Sequence, residues 1–233
     1  MSTFLQLVQR LHREVGAAGV APTAVTSQTG EAQRLVDWIS NADLQVQNLW
    51  HDWKFLRTEF SSSNTTTAGV RTLAAPSDLA RWDPETFFIQ ESGQDAEPAA
   101  EVVEYQEVRG EKFDTSVASR DIPYRIIIMP DNTLRFDPVP DAVYTITADY
   151  FAKPTVLAAD ADVSLIPDRF HESVILGQAM IYYANHESAP EIIEQGMKIY
   201  EQSLPRLESV QSPSSSFNSR YTSSGSQIQV VAQ

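Results

Sequence analysis

The sequence predicts an α+β fold: a helical bundle of N-terminal and C-terminal helix pairs, a central antiparallel β-meander and an extended C-terminal arm. Three observations carry this. Apolar residues recur at helical intervals at both ends of the chain, they alternate with polar residues in the middle, and the last two dozen residues change composition altogether. The 233 residues, 42% of them apolar, suffice for a substantial core, and the absence of cysteine excludes a disulfide scaffold or thiolate chemistry.

Thr3 and Gln6 have the spacing of a capping box, and Phe4, Leu7, Val8 and Leu11 follow at helical intervals until Gly16 and Gly19. A polar connection leads to Thr29, an expected N-cap, with Glu31 in the first turn near the positive end of the helix dipole. The next helix is expected to carry a heptad-like seam of Leu35, Ile39, Ala42, Val46, Leu49 and Trp53, flanked by Trp38 and Trp50. In the middle, Tyr124–Met129 and Thr133–Asp137 surround Pro130-Asp131-Asn132, a hairpin signature. Val143–Phe151 alternates cleanly and should add the third strand of a meander. Val70–Leu73 and Val102–Val108 read as further short extended segments, with an irregular stretch between them punctuated by Pro76, Pro84 and Pro98.

From Pro167 the pattern is helical again. Phe170, Val174, Ile175, Ala179, Ile181, Tyr182 and Tyr183 make an element apolar nearly all round, expected to be the buried central helix. Ser188-Ala-Pro-Glu191 has capping-box spacing for a final helix that Pro205 should kink or end. Four parts are therefore expected: an N-terminal helical part at 1–60, an acidic, β-rich middle at 61–166, an α-hairpin at 167–210 packing on the first helices, and an arm at 211–233. The arm contains eight Ser, one charge at Arg220, two isolated aromatics and Ile228 and Val230 in period-2 spacing. Alone it buries too little apolar surface to offset its ordering entropy, but its neutrality suits burial against a partner.

The formal charge is −14, and half of it sits in residues 77–120, where eleven acids face four bases. Such a surface repels polyphosphate unless bases are segregated into a patch. No phosphate-cradling loop, nucleophile elbow or His-Glu-x-x-His spacing occurs, and His12, His51, His171 and His186 lie far apart. We expect no catalytic residue, no metal and no cofactor. No run approaches the roughly 20 apolar residues of a membrane span, and the N-terminus lacks the pattern of a signal peptide, so a reducing, cytoplasm-like space is expected.

Phe4-Leu-Gln-Leu-Val-Gln-Arg-Leu11, Gln28-Thr-Gly-Glu31 with Arg34-Leu-Val-Asp-Trp-Ile39, and Asp52-Trp-Lys-Phe-Leu56 resemble the N-terminal region of bacteriophage head-to-tail adaptor proteins. The β segment followed by Ile166-Pro-Asp-Arg-Phe-His-Glu172 and an α-hairpin is similar in order to that family. The resemblance implies a structural virion protein, made in the host cytoplasm and resident at the capsid vertex. It implies a ring, typically of about twelve copies, beneath the portal protein, with a tail or nozzle protein docked below and genomic DNA passing through without specific binding. Residues 211–233 would then be a portal-binding arm, with Phe217, Arg220, Tyr221, Ile228 and Val230 as its contacts. Glu91, Asp95, Glu97, Glu101 and Glu104 are the expected channel or rim acids. The alternatives are a tail-completion or neck protein that does not touch the portal, or a hydrolase whose carboxylates the spacing does not single out.

Overall fold

A computed structural model describes residues 1–91, 93–111 and 119–212. Helix α1 (Phe4–Glu14) starts at a complete capping box: the Thr3 hydroxyl accepts from the Gln6 N–H at 3.3 Å, and the Thr3 N–H donates to the Gln6 side chain at 3.0 Å. The Phe4 and Leu5 N–H groups donate to the carbonyls of Asp162 and Asp160, so a loop distant in sequence completes the cap.

Helix α2 (Gly30–Asn48) buries Leu35, Ile39, Ala42 and Val46 as the seam requires. It follows Thr29, whose side chain makes no capping bond. The last two seam positions are corrected. The helix ends before Leu49, which is exposed, and Trp53 returns beneath it with 0% of its surface exposed. Its indole N–H donates to the Val46 carbonyl at 3.1 Å, beside the Leu49 N–H that reaches the same carbonyl at 3.2 Å, so the end of α2 is tied to Trp53 as well as closed by its own backbone. Residues 54–56 form a short 3₁₀ turn rather than more helix.

The second helical region begins with a 3₁₀ turn at Asp168–Phe170 and a π turn at His171–Ile175, then runs on as the buried α4 (Leu176–Glu187). Helix α3 (Tyr105–Val108) is a single turn in the β-rich part that precedes it. Ser188 is not the N-cap of the final helix. It takes a left-handed conformation at φ +55° and closes α4, its N–H bonding Ala184, because the chain must reverse there. Helix α5 (Pro190–Gln211) then starts with proline in its first turn. Contrary to expectation it runs on through Pro205. Pro205 is exposed, whereas Leu204 and Leu207 pack into the bundle, and that packing offsets the missing hydrogen bond on the outer face.

Helices α4 and α5 meet at two glycines. A Cβ at Gly196 would lie 3.0 Å from the Gly177 carbonyl oxygen and 3.1 Å from Ile181 Cγ1. We expect Gly196→Leu to prise the helices apart and cost about 1–3 kcal/mol. An unchanged urea midpoint would contradict this contact.

Among the described residues the middle of the chain holds nine short strands: β1 (Arg57–Glu59), β2 (Thr72–Leu73), β3 (Leu79–Trp82), β4 (Phe88–Glu91), β5 (Glu101–Glu104), β6 (Arg125–Ile128), β7 (Leu134–Asp137), β8 (Tyr144–Thr147) and β9 (Asp149–Ala152), with the one-turn helix α3 (Tyr105–Val108) after β5. They form three sheets, in the orders β1-β9-β3, β2-β7-β6-β5 and β4-β8. The β6–β7 hairpin is as expected, and β5 joins its far edge parallel to β6. The third meander strand is corrected. Tyr144, Ile146, Ala148 and Tyr150 are all buried, as the alternation requires, but Tyr144–Thr147 pairs with β4 while Asp149–Ala152 pairs with β1 and β3. One alternating segment thus serves two sheets. The stretch expected to be irregular contains β3 and β4, its prolines falling outside both strands.

Two large cores result. One unites α1, α2, α4 and Leu207 of α5 with Trp53 and Phe151. The other lies among the sheets around Trp82, whose ring meets Phe60, Phe87 and Tyr150 at centroid distances of 5.2, 5.4 and 5.8 Å. Strand β6 is buried on both faces, Ile126 toward the second core and Ile127 toward a small cluster with Val103 and Val108.

Candidate functional site

The acids expected to act together are divided by the parallel pairing of β5 and β6. Glu101 and Arg125 stand at one pole of this pair, Glu104 and Ile128 at the other. At the first pole, the chain turns back after β4, the Ile89 N–H bonding the Pro98 carbonyl, and Asp95 and Glu97 are exposed in that turn. Nearby, the Tyr144 hydroxyl donates to Asp141 at 2.6 Å. Burial pushes its pKa up, reinforced by that bond and by the charges of Asp141, Glu91 and Asp121, so three carboxylates face one hydroxyl. Exposed apolar side chains stand beside them: Ile122, Tyr124 at 62% exposure, and Val143.

The opposite pole is concave. A groove of about 340 Å³ runs between Trp82, Tyr105, Met129 and Pro130, with Arg81 and Glu104 on its walls. It continues into a second hollow beside Arg109. Arg81 also stacks on the Phe151 ring at 4.9 Å. Neither arginine stood out in the sequence, because β3 and α3 are needed to bring them to one groove.

The arm residues Phe217, Arg220, Tyr221, Ile228 and Val230 lie outside the described residues. The root of that segment is described. Lys54 Nζ donates to the Val210 carbonyl at 3.2 Å and the Trp50 indole to Glu208 at 3.1 Å, so the turn after α2 holds the end of α5. Leu49, Trp50 and Val210 remain exposed there.

A serine, a histidine and an aspartate do meet, but inside the protein. Asp43 is fully buried and accepts from the Ser164 hydroxyl and from Gln47 Nε2, the latter at 2.7 Å. Gln47 also accepts the Thr155 N–H at 3.0 Å, Ser164 accepts the Ile166 N–H at 3.0 Å, and buried His171 Nε2 bonds the Ile166 carbonyl at 2.6 Å. The serine proton is committed to the carboxylate rather than to the imidazole, so this is not a nucleophile and its base. The network laces the segment between β9 and α4 onto α2. Among the described residues no group of three metal-ligating side chains gathers, and no helix is long and apolar enough to cross a membrane.

Burial raises the Asp43 pKa to about 6, outweighing the bonds from Ser164 and Gln47 and the charge of His171. The folded protein therefore holds this proton more tightly than the unfolded chain. That stabilisation is complete below about pH 4 and is lost as pH rises through about 6, a change on the order of 3 kcal/mol. Asp43→Asn removes the titration and sets an amide donor against the donors of Gln47 and Ser164. Its deficit relative to wild type, read by urea denaturation, should shrink from pH 4 to pH 7; a constant deficit would contradict the shift.

The fold and surfaces define a class first: a body whose distinguishing features are a groove, an acid-rich pole and an apolar root for its terminal segment, all suited to macromolecular neighbours. The family model for the SU10 adaptor protein matches residues 2–224, nearly the whole chain, and the protein belongs to that family, a phage head-to-tail adaptor family. No curated protein matches significantly. The resemblance in the sequence is thus borne out, and a structural phage adaptor located in the virion follows at that level.

Proposed function

We propose that the protein forms a ring, typically of about twelve copies, between portal and tail, with residues 211–233 as the arm that docks on the portal. The observation that carries this reading is the family match, which extends past α5 into the arm as far as residue 224. Physical features support it. Strand β9 places Phe151 in the helical core and Tyr150 in the sheet core, and the Asp43 network ties the segment before α4 to α2, which suits a rigid body; an arm with a single charge can be buried on docking and contribute binding in addition to that of the body. The four-part organisation follows, the helical parts 1–60 and 167–210 forming one bundle and the middle 61–166 carrying the acid-rich pole.

Acids of that pole, with Glu91 and Glu101 foremost, face the lumen or the tail-side rim. DNA then meets like charge repeated around the ring and slides rather than adheres, the reverse of a basic binding groove. Replacing Glu91 and Glu101 by Lys should slow genome release from assembled particles, measured as DNA ejected against time. Unchanged release would remove these residues from the channel. The reading as a whole is tested by adding the purified protein to portal rings and to tail tubes separately. Binding to portal supports it, whereas binding to tail alone favours a neck or tail-completion protein.

A further inference from the structure

We propose that neighbouring copies join head to tail through the two poles of the β2-β7-β6-β5 sheet, the acid-rich turn of Asp95 and Glu97 of one copy seating in the groove between Tyr105 and Met129 of the next. This rests on the ring reading above and supplies the contact that closes it.

The groove pole has what a docking surface needs. Tyr105 and Met129 are half-buried and line a concave surface, and Arg81 and Arg109 bring two exposed guanidinium groups to it against the single carboxylate of Glu104. Aromatic residues, methionine and arginine are the types enriched at protein interfaces. Such a local excess of positive charge is notable in a chain with 17 basic and 31 acidic residues. The other pole presents its complement: Glu91, Asp95, Glu97, Asp121 and Asp141 exposed beside the apolar Ile122, Tyr124 and Val143.

The turn cannot fill the groove of its own copy. Strands β5 and β6 run parallel and are paired over four residues, which separates the poles by about 10 Å of strand with the sheet between them. A surface and its complement on opposite poles of one body make a heterologous contact, and repetition of such a contact closes a ring when its rotation divides a full turn evenly. Opposite charges at the joint favour this register over the self-pairing of two acid-rich poles. Asp95 and Glu97 thereby belong to the joint between copies, and Glu91 and Glu101 stay available to the lumen.

Because the native chain has no cysteine, the contact can be trapped directly. The full chain carrying Asp95→Cys and Arg109→Cys, assembled on portal and mildly oxidised, should give a ladder of disulfide-linked oligomers, absent from a control with Asp168→Cys and Arg109→Cys. In parallel, Arg81→Glu with Arg109→Glu should lower the yield of rings at least tenfold, and adding Asp95→Lys with Glu97→Lys to the same chain should restore it. Rings of normal size that yield no ladder, or a charge exchange that fails to restore assembly, would overturn this contact while leaving the ring intact. Wild-type protein that binds portal but never forms a ring would overturn the ring reading and this proposal with it.

Discussion

Trp53→Ala is expected to destabilise the protein by about 3–5 kcal/mol, the range for removing a large aromatic from a close-packed core. The side chain is 0% exposed and lies in the helical cluster with Val46 and Leu56. Three losses coincide in this one truncation. The indole volume becomes a cavity, the stacking on Phe55 at 5.3 Å between centroids is lost, and the Val46 carbonyl at the end of α2 is left without the indole donor that bonds it at 3.1 Å. Trp50→Ala is the natural comparison, because Trp50 is 47% exposed and bonds Glu208 at the surface. Its cost should remain near or below about 1 kcal/mol. Urea denaturation of both variants checks the pair, and equal losses would contradict the burial of Trp53.

Removal of residues 213–233 should abolish joining to the portal while leaving the body as stable as before. All the described core residues precede this segment. The end of α5 is held locally, by the Ser212 N–H on the Glu208 carbonyl and by Lys54 on Val210. The thermal midpoint of the truncated protein should therefore match that of the full chain, and only its recovery with portal in co-sedimentation should fall to background. Phe217→Ala with Tyr221→Ala in the full chain should lie between the two. Full recovery of the truncated protein with portal would remove the arm from the docking role.

Local physics made part of this fold legible. The Thr3–Gln6 capping box, the body of α2 and the β6–β7 hairpin each depend on residues within a few positions of one another, so their spacing specifies them. What was illegible depends on distant partners. The alternation from Tyr144 to Tyr150 correctly marked a buried face, but period-2 spacing does not say which strand lies alongside, and the pairing changes between Thr147 and Asp149. Pro205 signalled a kink or an end, and the helix is not ended there because the stabilising contacts of Leu204 and Leu207 come from other helices. Ser188 offered the chemistry of an N-cap, yet the reversal between two helices needed its left-handed conformation more.

The acid-rich pole followed the same rule. Its composition was plain in residues 77–120, and Glu91 leads into the exposed turn of Asp95 and Glu97 that precedes Glu101 at the start of β5. Glu104, three residues beyond Glu101, is carried to the opposite pole because the extended segment read at Val102–Val108 holds the strand Glu101–Glu104, whose two ends lie at different poles. The Arg81–Arg109 groove and the Asp43 network had no sequence signal, because each joins residues from separate elements that only the folded topology unites.

The most direct measurement is electron microscopy of purified portal rings mixed with the full-length protein. An added collar of density coaxial with the portal, present with the full chain and absent with a chain ending at Ser212, is the predicted result. Bare portal rings at saturating protein, or the same collar without the terminal segment, would contradict the adaptor role proposed for this chain.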